Sequence, residues 1–107
     1  MAQTSTTLIA TKAHVTTITG SDISFTATSG VNTISSTSTV LTGSGKFAAF
    51  DLITITGTSN NNSTFTVKSV VSTTEITVEE VVTTETADGS TSTSLDHTGF
   101  VSDKAKG

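Results

Sequence analysis

The chain is 107 residues long, carries nine acidic and five basic side chains for a net charge of −4, and has no Cys, Pro, Trp or Tyr. A disulfide scaffold or a thiolate zinc site is impossible without Cys. With every basic residue a Lys and the balance acidic, nucleic-acid binding is not expected. Of the 107 residues, 43 are Ser or Thr and 44 are β-branched, which argues for a single all-β domain and against a helical bundle, because β-branched side chains are stiff at χ1 and suit pleated surfaces.

The elements follow in chain order. Residues 1–6 read as a flexible N-terminal arm, 7–101 as one all-β domain with its best-defined unit at 46–82, and 102–107 as a flexible C-terminal tail. The start, MAQTSTTLIATK, lacks the basic and apolar regions of a secretory signal, and no apolar run approaches a membrane span, so a soluble chain is expected. Strands are predicted at 8–19 and, after the Gly20-Ser21-Asp22 turn signal, at 23–28, where Ser29-Gly30 breaks the pattern. The Ser/Thr-dominated stretch 32–39 reads as a lead-in to a strand at Val40-Leu41. Gly43-Ser44-Gly45-Lys46 reads as a hinge. Residues 46–51 have helix-like spacing too short for more than a turn or a 3₁₀ piece.

The clearest alternation is Leu52-Ile53-Thr54-Ile55-Thr56, then Phe65-Thr66-Val67-Lys68, then Ile76-Thr77-Val78-Glu79, which puts one set of side chains on a buried face. Strands are therefore predicted at 52–56, 64–71 and 75–82, with a Gly- and Asn-rich loop at 57–63. The Val70-Val71 pair interrupts the alternation, as a β-bulge or a barrel corner would. Asp88-Gly89 is a hairpin signal, and 95–101 is the last short strand. Six to seven short strands at this spacing predict a small antiparallel β-sandwich or barrel. Its core is thin, which favours gaining stability by oligomerising.

Chemistry is sparse. His14 and His97 have no ligand cluster around them, and Asp96, adjacent to His97, points to the opposite face of a strand. A Ser-His-Asp set can be drawn on paper, but among so many hydroxyls it carries no specificity, and no Gly-x-Ser-x-Gly elbow is present. Gly43-Ser44-Gly45-Lys46 lacks the spacing of a phosphate loop. Glu75, Glu79, Glu80, Glu85 and Asp88 form an acidic strip. It reads first as a solvated face that blunts edge-to-edge pairing, with docking onto a basic partner as the sharper alternative. Asn61-Asn62-Ser63 and Asn62-Ser63-Thr64 are formal glycosylation sequons, read here as an exposed loop. No catalytic, cofactor-binding or metal-ligating residue is assigned, no cofactor is expected, and the chain does not read as an enzyme.

Gly45-Lys46-Phe47-Ala48-Ala49-Phe50-Asp51-Leu52-Ile53-Thr54-Ile55-Thr56-Gly57, then Asn60-Asn61-Asn62-Ser63-Thr64-Phe65-Thr66-Val67, then Thr73-Thr74-Glu75-Ile76-Thr77-Val78, with the tail Thr84-Glu85-Thr86-Ala87, resembles a module of tailed-bacteriophage structural proteins. In that module a Gly-Asp pair precedes the first strand and an Asn-x-Gly-Thr-Phe-Thr-Val stretch forms the next. The resemblance covers about residues 34–88. Here Phe50-Asp51 stands for Gly-Asp, and Ser63 for the Gly. The resemblance implies a small all-β virion protein, foremost a capsid decoration or cement protein. Such a protein, a trimer, would bind the major capsid protein or another virion protein. It would have no nucleic-acid or membrane partner. Residues 2–8 and the 58–63 loop are the expected contact elements. A tail, head–tail adaptor or fibre component is the alternative. A carbohydrate-binding or adhesin module is the alternative of another class, for which a chain without Trp or Tyr is poorly equipped.

Overall fold

The computed structural model describes residues 17–43 and 45–100. The arm at 1–6, the contact element at 2–8, His14, most of the predicted 8–19 strand, Ser44 of the hinge and the tail at 102–107 lie outside them. Among the described residues, seven strands succeed one another: β1 Thr17–Gly20, β2 Ser24–Thr28, β3 Val31–Ser35, β4 Asp51–Thr56, β5 Thr64–Ser72, β6 Glu75–Val78 and β7 Thr93–Phe100. All pairings are antiparallel, in one sheet of order β1-β7-β4-β5-β6-β3-β2. The fold is all-β, as predicted.

The sheet folds over along β5. Thr64 to Thr66 pair with β4, while Val67 onward pairs with β6. Two register shifts leave Lys68 and Val71 without an opposite residue. Each bulge adds twist and bends the strand, so the halves on either side of β5 face one another. Period-two patterning then fills the space between them. Asp51, Ile53 and Ile55 of β4, Phe65 and Val67 of β5, and Ile76 and Val78 of β6 all point inward, with Leu52, Thr residues, Lys68 and Glu75 in the alternate positions. Phe25, Ile34, Leu41, Phe47 and Leu95 join the same cluster, each at most 1% exposed. Burying an Ile, Leu or Phe contributes about 1.5–3 kcal/mol, and this one cluster supplies most of that term. The bulge expected at Val70-Val71 is present.

Turn chemistry explains where the sequence was misleading. Ser29 and Gly30 have φ of 52° and 82° between the paired Thr28 and Val31. Two successive positive φ values make a two-residue type I′ hairpin, the turn whose twist matches that of its strands. The break read at Ser29-Gly30 thus joins β2 to β3, and β3 occupies the first part of the Ser/Thr-rich 32–39 stretch because Ile34 reaches the core. The strand expected at Val40-Leu41 is absent. There the Leu41 and Thr42 N–H groups both donate to the Thr73 carbonyl, at 2.7 and 3.2 Å, which docks the segment on the β5–β6 turn. The strand expected over 75–82 ends at Val78. Past it, Val81 is 81% exposed while Val82 is buried. Asp88-Gly89 does turn the chain, but it closes no hairpin, since β6 and β7 are not neighbours.

The 46–51 segment is a turn, as expected. The Asp51 N–H donates to the Ala48 carbonyl at 3.2 Å, and Phe50 has φ of 77°. That is the left-handed conformation a type II turn asks of its third residue, usually a glycine. The phage-like cadence has its Gly at this position. Phe50→Gly is therefore expected to be more stable than Phe50→Ala by about 1 kcal/mol in urea unfolding, because both remove the ring and only Gly is unstrained there. Equal stabilities would mean that the turn relaxes in the variants.

Candidate functional site

The described residues concentrate their polar chemistry in three carboxylate clamps and one buried pair. Each clamp begins with a segment whose backbone N–H groups lack strand partners and must find acceptors elsewhere.

The first clamp is Asp22, between β1 and β2. Its Oδ2 accepts the successive N–H groups of Thr37, Ser38 and Thr39 at 3.1, 2.7 and 3.1 Å, and its Oδ1 accepts the Thr39 hydroxyl at 2.6 Å. Three N–H groups converging on one oxygen form an anion-holding concavity. The Thr39 hydroxyl foremost, then the Ser38 N–H, hold the Asp22 carboxyl well below the usual carboxylate range. Close approach also dictates Gly20, since a Cβ there would lie 2.5 Å from the Thr39 Oγ1.

The second clamp joins the 58–63 loop to the chain after β6. Glu85 accepts the Ser59 N–H at 2.8 Å, the Asn60 N–H at 3.1 Å and the Asn61 Nδ2 at 2.8 Å. Its own backbone exchanges two 2.8 Å bonds with Phe25 on the outer edge of β2. The Thr84 hydroxyl and the Ser24 hydroxyl cap the same edge by accepting the Ala27 and Ala87 N–H groups, so a strand edge that could recruit another chain is covered. Asn61, 3% exposed, pairs with Thr83 like a backbone unit: its Oδ1 accepts the Thr83 N–H at 2.8 Å and its Nδ2 donates to the Thr83 carbonyl at 2.9 Å. Asn61 is therefore not the exposed acceptor that its sequon suggested, although Asn62 is exposed. The Ser59 N–H is the main cause that lowers the Glu85 carboxyl below its ordinary value.

The third is Asp88, whose Oδ1 accepts the Ser90 and Thr91 N–H groups at 2.8 Å each. The Thr91 N–H, then the Ser90 N–H, bring its carboxyl down to about 2. Glu80 acts similarly on β5, accepting the Thr66 N–H at 2.6 Å and its hydroxyl at 2.8 Å. Three members of the acidic strip thus face the protein's own backbone rather than forming one solvated face. Glu79, Glu80 and Asp88 remain exposed, but the strand expected to carry Glu75, Glu79 and Glu80 ends at Val78, so the strip is not one strand face.

The clamps set an acid limit. Each lowered carboxyl stabilises the fold fully above the unfolded carboxylate range near about pH 4, and that contribution is progressively lost as pH falls below that range toward the lowered folded values. Urea midpoints are expected to be flat from about pH 5 to 7 and to fall below about pH 4, with a shallower fall in Asp22→Asn. An unchanged midpoint at about pH 3 would contradict the clamps.

The buried pair is Asp51 and His97. His97 Nε2 lies 3.5 Å from Asp51 Oδ1, with the two side chains 6% and 0% exposed. Asp51 Oδ2 accepts the Ala48 N–H at 2.9 Å. The Phe47 ring stacks near His97, at 6.4 Å between centroids and 19° between planes. Sequence reasoning weighed His97 against Asp96, whose side chain instead takes the Thr17 hydroxyl at 2.8 Å. The true neighbour, 46 positions away, had no local signal. No group of three or more His, Asp or Glu side chains placed to hold a metal occurs among the described residues, and they contain no helix long and apolar enough to cross a membrane.

Comparison with protein-family models, with curated proteins and with solved structures found no match.

Proposed function

We propose that this chain is a non-enzymatic structural protein of a tailed-phage virion, a decoration or cement protein that stabilises the head shell by bridging capsid subunits as a homotrimer. The observation that carries the reading is where the phage-like cadence falls. Its three stretches hold β4, the first part of β5 and β6 with adjoining turns, and its Thr-Glu-Thr-Ala tail runs along the covered edge of β2. The cadence is thus a connected piece of the fold rather than scattered matches.

Surface chemistry supports the same reading. The carboxylates of Asp22, Glu80, Glu85 and Asp88 are engaged internally, while Val31, Val71 and Val81 stand 51–81% exposed among outward Thr and Ser. Such a surface suits broad, shallow contact. The 58–63 loop, held by Glu85 and Asn61, would meet a partner already ordered, which lowers the entropy cost of docking. A subunit held at two or more contacts gains the avidity that cementing requires.

The test is copy number per particle, by quantitative mass spectrometry of purified virions of the encoding phage. Hundreds of copies in simple proportion to the major capsid protein are expected, whereas a count from about three to a few dozen would move the protein to the tail or head–tail adaptor. Absence from the particle would overturn the virion reading.

A further inference from the structure

The outer face of the β3–β6–β5 half holds a groove of about 220 Å³ lined by Gly30, Val31, Lys68, Ser69 and Thr77, among others. Its position follows from the bulge in β5. Val67 opposes Val78 and Ser69 opposes Thr77, so Lys68 is the extra residue, and a bulge re-aims the side chain it carries. Lys68 is exposed, and its ammonium has no carboxylate within 4 Å among the described residues. That is notable on an acidic chain, where the described residues hold two Lys, Lys46 and Lys68, against eight Asp and Glu. Opposite it, Val31 is 51% exposed at the end of the rigid type I′ turn. The Ser69 and Thr77 hydroxyls bond one another at 2.6 Å, and a Cβ on Gly30 would meet nothing within 4 Å.

We propose that this groove receives an extended segment of a partner protein, with a carboxylate on the Lys68 ammonium and a small aliphatic side chain against Val31. The spacing sets the pattern. β3 and β5 lie on either side of β6, so the two anchors are about 10 Å apart across the strands. The length of the Lys side chain shortens that gap. Side chains at i and i+2 of an extended chain share a face about 7 Å apart, which fits an acid and an aliphatic residue separated by one position. Charge complementarity selects the acid: a groove cation with no carboxylate within 4 Å among the described residues repels basic segments and is matched by a carboxylate. This inference is independent of the virion reading.

The probe is the capped pentapeptide Ser-Glu-Thr-Val-Ser, with Ser-Gln-Thr-Val-Ser as its neutral counterpart, titrated into the ¹⁵N-labelled full chain. Shifts are expected at the amides of Gly30, Val31, Lys68, Ser69 and Thr77, with the Gln peptide binding about 3-fold more weakly. The difference between peptides should shrink on going from about 0.05 M to about 0.5 M salt. It should vanish in Lys68→Gln and persist in Lys68→Arg, both exposed changes whose folding the same spectra report. Equal binding of the two peptides, shifts elsewhere on the surface, or no shifts at about 10 mM peptide would each overturn the proposal.

Discussion

Replacing Asp51 by Ala is expected to lower the unfolding free energy by about 3 kcal/mol, because it breaks a buried ionisable pair and removes an acceptor from a turn at once. Asp51 is fully buried at the start of β4, where its Oδ2 closes the Ala48 turn and its Oδ1 faces His97. Asp51→Asn keeps an oxygen for the Ala48 N–H and should cost less, about 1–2 kcal/mol. Combining Asp51→Asn with His97→Gln tests the pair itself: the double variant should be more stable than the sum of the single losses implies, by about 1 kcal/mol. Urea unfolding at pH 7 measures all three. If Asp51→Ala costs less than about 1 kcal/mol, the pair is not a structural anchor.

Asn61→Ala should be comparably damaging, at about 3 kcal/mol. The change removes three side-chain hydrogen bonds and leaves both the Thr83 N–H and its carbonyl without their partner in a half-buried site. Asn61→Asp is no rescue, since its carboxylate would face both Glu85 Oε1 and the Thr83 carbonyl where the amide now donates. Glu85→Gln keeps acceptor capacity and should cost about 1 kcal/mol, chiefly the charge assistance to the Ser59 and Asn60 N–H groups. Hydrogen exchange gives the local readout. Ser59 and Asn60 amides should exchange faster in Glu85→Ala while the β4 amides stay protected. Uniform acceleration would mean that the loop is held by something other than Glu85.

These two sites show where sequence reading reaches and where it stops. Asp88 with Ser90 and Thr91 is a local pattern, an Asp whose carboxylate bonds N–H groups two and three residues on, and such turns can be read directly from the chain. Glu85 and Asn61, 24 positions apart, carry no such signature. The acidic strip looked like a solvated face because its partners are backbone groups, and backbone donors have no letter in the sequence. His97 and Asp51 meet because His97 pairs with Ile53, and Asp51 lies two residues along β4 from Ile53 on the same inward face.

The amino-acid sequence by itself determined the all-β class, the alternating faces of β4, β5 and β6, and the irregularity at Val70-Val71. These depend on period-two patterning and β-branched stiffness, which act within a few residues. Tertiary structure alone decided the strand order, which carboxylates clamp which loops, and the pairing of Asp51 with His97. It also decided that Ser29-Gly30 is a hairpin rather than a break, and that the strand begun at Glu75 stops at Val78. For the strand order and the clamps the outcome turns on which distant backbone group takes each hydrogen bond, and for the buried pair on which side chains the register brings together; both are settled only when the sheet has folded over β5 and the core has closed.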